Sequence, residues 1–127
     1  MNPYWNSHII GGSQVDGDFF LGSVDIHGMT NSGNYLMTGL ALYFGDVLLY
    51  NATKNGLPTE EEARKAVESV FRILFYRDKT MSDRIQFVNI SSNGVSVEEP
   101  YVLETDWSLD AYKTIINEKS RDMRYYM

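Results

Sequence analysis

The sequence predicts an α+β fold in which strands flank a central pair of helices. Three observations carry this. Period-two apolar runs lie at residues 18–26 and 85–97, beside Asp16-Gly17 and Asn93-Gly94, and Asx-Gly pairs are strong hairpin signals. A helical period opens at Thr59 with Glu62 three residues on, the pattern of a capping box. The helical segments follow one another without intervening strands, and that segregation marks an α+β or layered arrangement.

The elements follow in order. His8-Ile9-Ile10-Gly11-Gly12-Ser13 reads as a strand whose glycines mark close approach of another backbone. Residues 18–26 form the next strand, with Phe20, Gly22, Val24 and Ile26 on one face and Phe19, Leu21, Ser23 and Asp25 on the other. Apolar residues on both faces imply that both are covered. Asn31-Ser32-Gly33-Asn34 is a loop by composition, and Tyr35-Leu36-Met37-Thr38-Gly39 reads as a third strand. From Leu40 the period becomes helical to about Asn51, with Gly45 inside it for close packing.

The second helix runs from Thr59 to about Arg77. Glu60, Glu61 and Glu62 sit at the positive end of its dipole. Ala63, Ala66, Val67, Val70, Phe71 and Leu74 form its buried stripe, and Ile73 and Phe75 point to a second covered face. Glu60–Arg64, Glu61–Lys65 and Glu68–Arg72 stand in the favourable i,i+4 order. A hairpin follows, with Asn93-Gly94 at the centre of its turn, and Pro100 ends it. Asp106 starts a last short helix to about Ile116, and residues 117–127 form a charged tail with tyrosines at 125 and 126.

Composition excludes several functions. The 127 residues are 43% hydrophobic and 22% charged, which suits about one globular domain. A net charge of −6 argues against nucleic acid or an anionic membrane as partner. Cysteine is absent, which removes disulfides, thiol catalysis and thiolate metal sites. No apolar run approaches the roughly 18 residues of a membrane span. Met1-Asn2-Pro3-Tyr4-Trp5 has neither the basic nor the apolar region of a signal peptide, so an intracellular soluble domain is expected.

Chemical motifs are sparse. His8 and His27 share no ligand spacing, so no metal and no cofactor is expected. Neither a phosphate-binding glycine loop nor a G-x-S-x-G elbow occurs. Asn51-Ala52-Thr53 and Asn89-Ile90-Ser91 match the glycosylation pattern by chance. The segment Tyr76-Arg77-Asp78-Lys79-Thr80-Met81-Ser82-Asp83-Arg84 concentrates charge between helix and strand. It reads either as a solvated turn favourable to the helix dipole or as a buried Arg–Asp structure at a site or interface.

Taken together, several segments resemble the C-terminal half of 20S proteasome β subunits. They are Met1-Asn2-Pro3-Tyr4-Trp5-Asn6, Phe20-Leu21-Gly22-Ser23-Val24-Asp25-Ile26-His27-Gly28, Thr38-Gly39-Leu40-Ala41, Arg72-Ile73-Leu74-Phe75-Tyr76-Arg77-Asp78 and Glu104-Thr105-Asp106-Trp107. The resemblance is strongest to the non-catalytic β7 type. It implies part of a four-layer αββα sandwich of the N-terminal nucleophile hydrolase type, with residues 1–127 the C-terminal portion of one such domain. Met1 falls at an internal methionine of the family pattern, so a fragment, a truncated gene prediction or a shortened gene is expected.

The family's catalytic members attack with an N-terminal threonine supported by an aspartate and a lysine, all in the half this sequence lacks. In the retained half Asp78 matches the family's Arg-Asp aspartate. Leu40 stands where a serine follows the glycine matched by Gly39, and Met81 replaces the serine three positions after Asp78. Leucine and methionine can neither relay a proton nor orient an amine, so these positions are expected to be family-equivalent but inert. The resemblance therefore implies a structural subunit for ubiquitin- and ATP-dependent protein degradation in cytoplasm and nucleus. Its partners would be β subunits of its own and the facing ring, together with α subunits. Tyr76, Arg77, Asp78, Trp107, Tyr112, Tyr125 and Tyr126 are the interface candidates, and residues 113–127, extended over 117–127, would be either an arm toward the facing ring or a frayed, solvated end. The alternatives are a catalytic threonine-type subunit of the same fold and an unrelated small α+β interaction module.

Overall fold

The computed structural model describes residues 4–14 and 17–108. Strands β1 (His8–Ser13), β2 (Phe19–Val24) and β3 (Thr30–Ser32) form an antiparallel sheet in that order. Helices α1 (Ala41–Phe44), α2 (Asp46–Thr53) and α3 (Glu60–Arg77) follow. The chain then forms β4 (Arg84–Ile85), β5 (Val88–Ser91), β6 (Gly94–Val97) and β7 (Tyr101–Val102), with β5 pairing β6 and β4 pairing β7. The mixed helix and strand content is that of the predicted class.

The β1–β2 hairpin runs from His8 opposite Val24 to Ser13 opposite Phe19. Gly17, at φ +87°, closes its turn by donating its N–H to the Gln14 carbonyl at 3.0 Å. The third strand differs from the sequence reading. It is Thr30–Ser32, overlapping the first two residues of the segment read as a loop, and Tyr35–Gly39 carries no ladder. The Asp25 carboxylate turns the chain back by accepting the N–H groups of His27 at 2.8 Å and Met29 at 2.9 Å. Those bonds, Met29's foremost, hold the Asp25 pKa below the ordinary carboxylate value. Tyr35 and Met37 are apolar for another reason, because they pack on the helical core.

That core is Leu49 of α2 with Val70 and Leu74 of α3, surrounded by Ala41, Leu48, Ala66, Val67 and Phe71. The expected stripe of α3 is the one buried, and the capping box forms. Thr59 accepts the Glu62 N–H, and the Glu62 carboxylate accepts the Thr59 N–H at 2.9 Å. The first helix is divided at Gly45, whose N–H bonds the Ala41 carbonyl at 2.7 Å. A Cβ at Gly45 would lie 2.7 Å from Met37 Sδ and 2.8 Å from Val70 Cγ1, so a residue without a side chain lets α3 approach this closely.

Among the described residues, one side of the sheet faces the helices and β5. Ile9 lines a cavity with Val67, Val70 and Phe71 of α3. A Cβ on Gly11, on the same face, would sit 3.4 Å from Ile90 Cδ1 of β5, so the glycine faces a side chain and not the expected backbone. The opposite face carries Ile10 and Phe20, which are 54% and 46% exposed. The expectation that both faces of the second strand are covered is therefore not met among the described residues.

The last hairpin is shorter than expected, since Gln86 and Phe87 interrupt the first run. Its two loop residues are Ser92 and Asn93, with Ser91 paired to Gly94. Neither loop residue has positive φ, and Gly94 at φ +124° starts the return strand. The turn is thus centred one residue earlier than the Asn-Gly pair suggested. Residues 106–108 are not helical, and the rest of the predicted last helix and the tail lie outside the described residues.

Candidate functional site

The cavity beneath the sheet gathers the family-equivalent positions. Gly39, Leu40, Asp78 and Met81 all line a space of about 410 Å³. Gly39 makes the bend that brings them in, with φ +64° in the region open to glycine. The remaining lining is mostly apolar, supplied by Ile9, Leu36, Met37 and α3. Asp78 caps the C-terminal end of α3, its N–H bonded to the Leu74 carbonyl at 2.8 Å. Its carboxylate accepts the Thr80 N–H at 2.9 Å and the Thr80 hydroxyl at 2.8 Å. These bonds, the backbone one foremost, lower its pKa. In this turn Asp78 pairs with Thr80 and makes no ion pair with Arg77 or Arg84 among the described residues.

The chemistry this arrangement supports is narrow. Among the described residues, Asp78 is the one carboxylate lining the cavity, its pKa lowered by the Thr80 bonds, and its neighbours Leu40 and Met81 carry no transferable proton. Among the described residues, no three of His, Asp and Glu cluster as metal ligands, and no helix is long and apolar enough to cross a membrane.

Of the interface candidates, Asp78 lines this cavity, whereas Tyr76 and Trp107 lie together beside the C-terminal end of α3. Tyr76 and Trp107 meet edge to face, with ring centroids 4.8 Å apart at 80°, and Phe75 adds a second edge contact to Trp107 at 5.8 Å. The Tyr76 hydroxyl donates to the Asp106 carbonyl at 3.1 Å and accepts the Asp106 N–H at 2.6 Å. Trp107 and Arg77 are exposed. Tyr112, Tyr125 and Tyr126 lie outside the described residues.

A line of polar ties along α3 escaped the sequence reading. Arg64 grips the Glu98 carboxylate with two nitrogens, Glu68 accepts the Tyr101 hydroxyl, Arg72 donates to the Glu104 carbonyl at 3.0 Å, and Tyr76 holds Asp106. The Arg64 guanidinium also lies 4.3 Å from the centroid of Phe87, a cation–π contact. Burial foremost and the Glu68 carboxylate next raise the Tyr101 pKa. Of the expected i,i+4 pairs only Glu61–Lys65 forms, at 2.6 Å. Arg64 instead reaches forward to Glu68 at 3.6 Å. The spacing 64, 68, 72, 76 was visible in the sequence, but its partners 30 to 34 residues away were not.

Comparison with known proteins gives the following. Proteasome subunit beta type-4 of Xenopus laevis is 36% identical over 110 residues, covering 86% of this chain and 45% of that protein. The Arabidopsis thaliana type-4 subunit is 30% identical over 111 residues, covering 87% and 44%. The Saccharomyces cerevisiae type-7 subunit is 34% identical over 97 residues, covering 73% and 36%. The matched part is the C-terminal portion of these relatives, and the chain spans under half their length. No protein-family model matches the chain.

Proposed function

We propose, on the premise that this chain belongs to the proteasome β-subunit family, that it serves as a non-catalytic structural part of the 20S core particle. One observation carries the reading. Where a catalytic member needs hydroxyls around its nucleophile, this chain places Leu40 and Met81 in an apolar cavity, with the Asp78 carboxylate tied to Thr80. A threonine hydroxyl attacks a peptide only when a base takes its proton, and those side chains offer none.

The uncovered face of the β1–β2–β3 sheet supports the sandwich architecture. Ile10 and Phe20 are placed to pack against a second sheet, whose strands would come from the part of the family fold that precedes the match. Sheets stacked face to face pack about 10 Å apart with interleaved side chains. In that arrangement α1–α3 form an outer layer toward the facing ring, neighbouring β and α subunits flank the domain, and residues 113–127 serve as the arm. The setting is protein degradation in cytoplasm and nucleus.

Native mass spectrometry of the purified cylinder, with ejection of single subunits, tests this. The expected result is this sequence ejecting from a multi-subunit particle and taking no label from a threonine-reactive probe. Labelling would favour the catalytic alternative, and absence from any large particle would favour the small interaction module.

A further inference from the structure

We propose that Tyr76 is a positioning residue that fixes where the C-terminal segment leaves α3; the inference rests on the structural role given to that segment above. Residues 104–108 form neither strand nor helix. Backbone groups of such a segment need partners from elsewhere, and α3 supplies them. Arg72 takes the Glu104 carbonyl, and the single Tyr76 hydroxyl takes both the carbonyl and the N–H of Asp106.

Two hydrogen bonds from one rigid phenol to one residue set its orientation as well as its place. Trp107 then closes edge-on against the Tyr76 and Phe75 rings. Residues 64, 68, 72 and 76 are spaced by four, so they line one face of α3. Their partners at 98, 101, 104 and 106 advance in the same chain direction. The helix acts as a rail that carries the chain from Glu98 to Asp106, with Tyr76 as its last tie. Asp106 and Trp107 are thereby held beside the C-terminal end of α3. An arm with a fixed root loses less conformational freedom on docking to a neighbouring protein subunit than one with a loose root.

The test uses the full chain in the assembled particle. Tyr76→Phe keeps the ring and its packing but removes both hydrogen bonds. The expected result is roughly tenfold faster amide exchange at Asp106, from losing a hydrogen-bonded pair, with α3 interior exchange unchanged. Incorporation into particles should also fall, and Tyr76→Phe should cause no further fall in a chain lacking residues 109–127. Unchanged exchange at Asp106, or an equal loss of incorporation with and without residues 109–127, would overturn the positioning role. If the deletion alone leaves incorporation untouched, the arm reading fails, and the exchange at Asp106 alone decides the role of Tyr76.

Discussion

The contact between α2 and α3 and the open face of the first sheet use apolar residues in opposite ways. Leu49, Val70 and Leu74 are buried against one another and ringed by their own chain. Ile10 and Phe20, no less apolar, stand about half exposed on the sheet face that meets no other element among the described residues. A monomer gains nothing from a phenylalanine held in water, and contiguous exposed apolar surface marks a face built to be covered. Among the described residues the α2–α3 contact is complete, while Ile10 and Phe20 on the sheet, like Leu42, Tyr43 and Val47 on the outer helices, stand open.

Leu74→Ala should break the complete side. It is expected to cost about 2–5 kcal/mol, read as a lower denaturation midpoint of the helical circular dichroism signal. Gly45→Ala comes next. The added methyl meets Met37 and Val70 below contact distance, so overpacking should outweigh the gain in helix propensity and cost about 1 kcal/mol net. A gain in stability would show that α3 stands further off than described.

Thr59→Ala removes the cap of α3 and should cost about 1 kcal/mol at neutral pH. The effect depends on pH with a definite sign. The Thr59 N–H foremost holds the Glu62 pKa below its ordinary value, so the stabilisation is fully present above that ordinary value and is lost as pH falls through the lowered one. Acid titration of helix stability should therefore flatten in a Glu62→Gln chain and only in part in the Thr59→Ala chain, which keeps the Thr59 N–H. The smallest effect belongs to the sheet. Phe20→Ser should change the free chain's stability by under about 0.5 kcal/mol while reducing its self-association in sedimentation. A large loss of stability would mean that Phe20 is already packed.

What could be read from the sequence follows the range of the interactions. The capping box of α3, its stripe and the strand positions of β1 and β2 depend on neighbours within a turn or a hairpin, and they stand where expected. Strand β3 went unread because Thr30, Asn31 and Ser32 carry no apolar signal, and only pairing with β2 makes them a strand. Tyr35–Gly39 misled in the opposite direction, since its apolar residues serve the helical core. At the candidate site, the identities of Leu40, Asp78 and Met81 were legible. Their convergence on one cavity depends on the bend at Gly39 and the cap at Asp78. Arg64 was assigned to Glu60 on local spacing, but Glu98 and Phe87, brought in by the fold, hold it.

Amide hydrogen exchange of α3 and β2, compared between the free chain and the assembled particle, tests the contrast most directly. The expected result is similar protection of the α3 interior in both states and a large gain of protection for Phe19–Val24 on assembly. Equal protection of β2 in the free chain would contradict it, because the sheet would then need no cover.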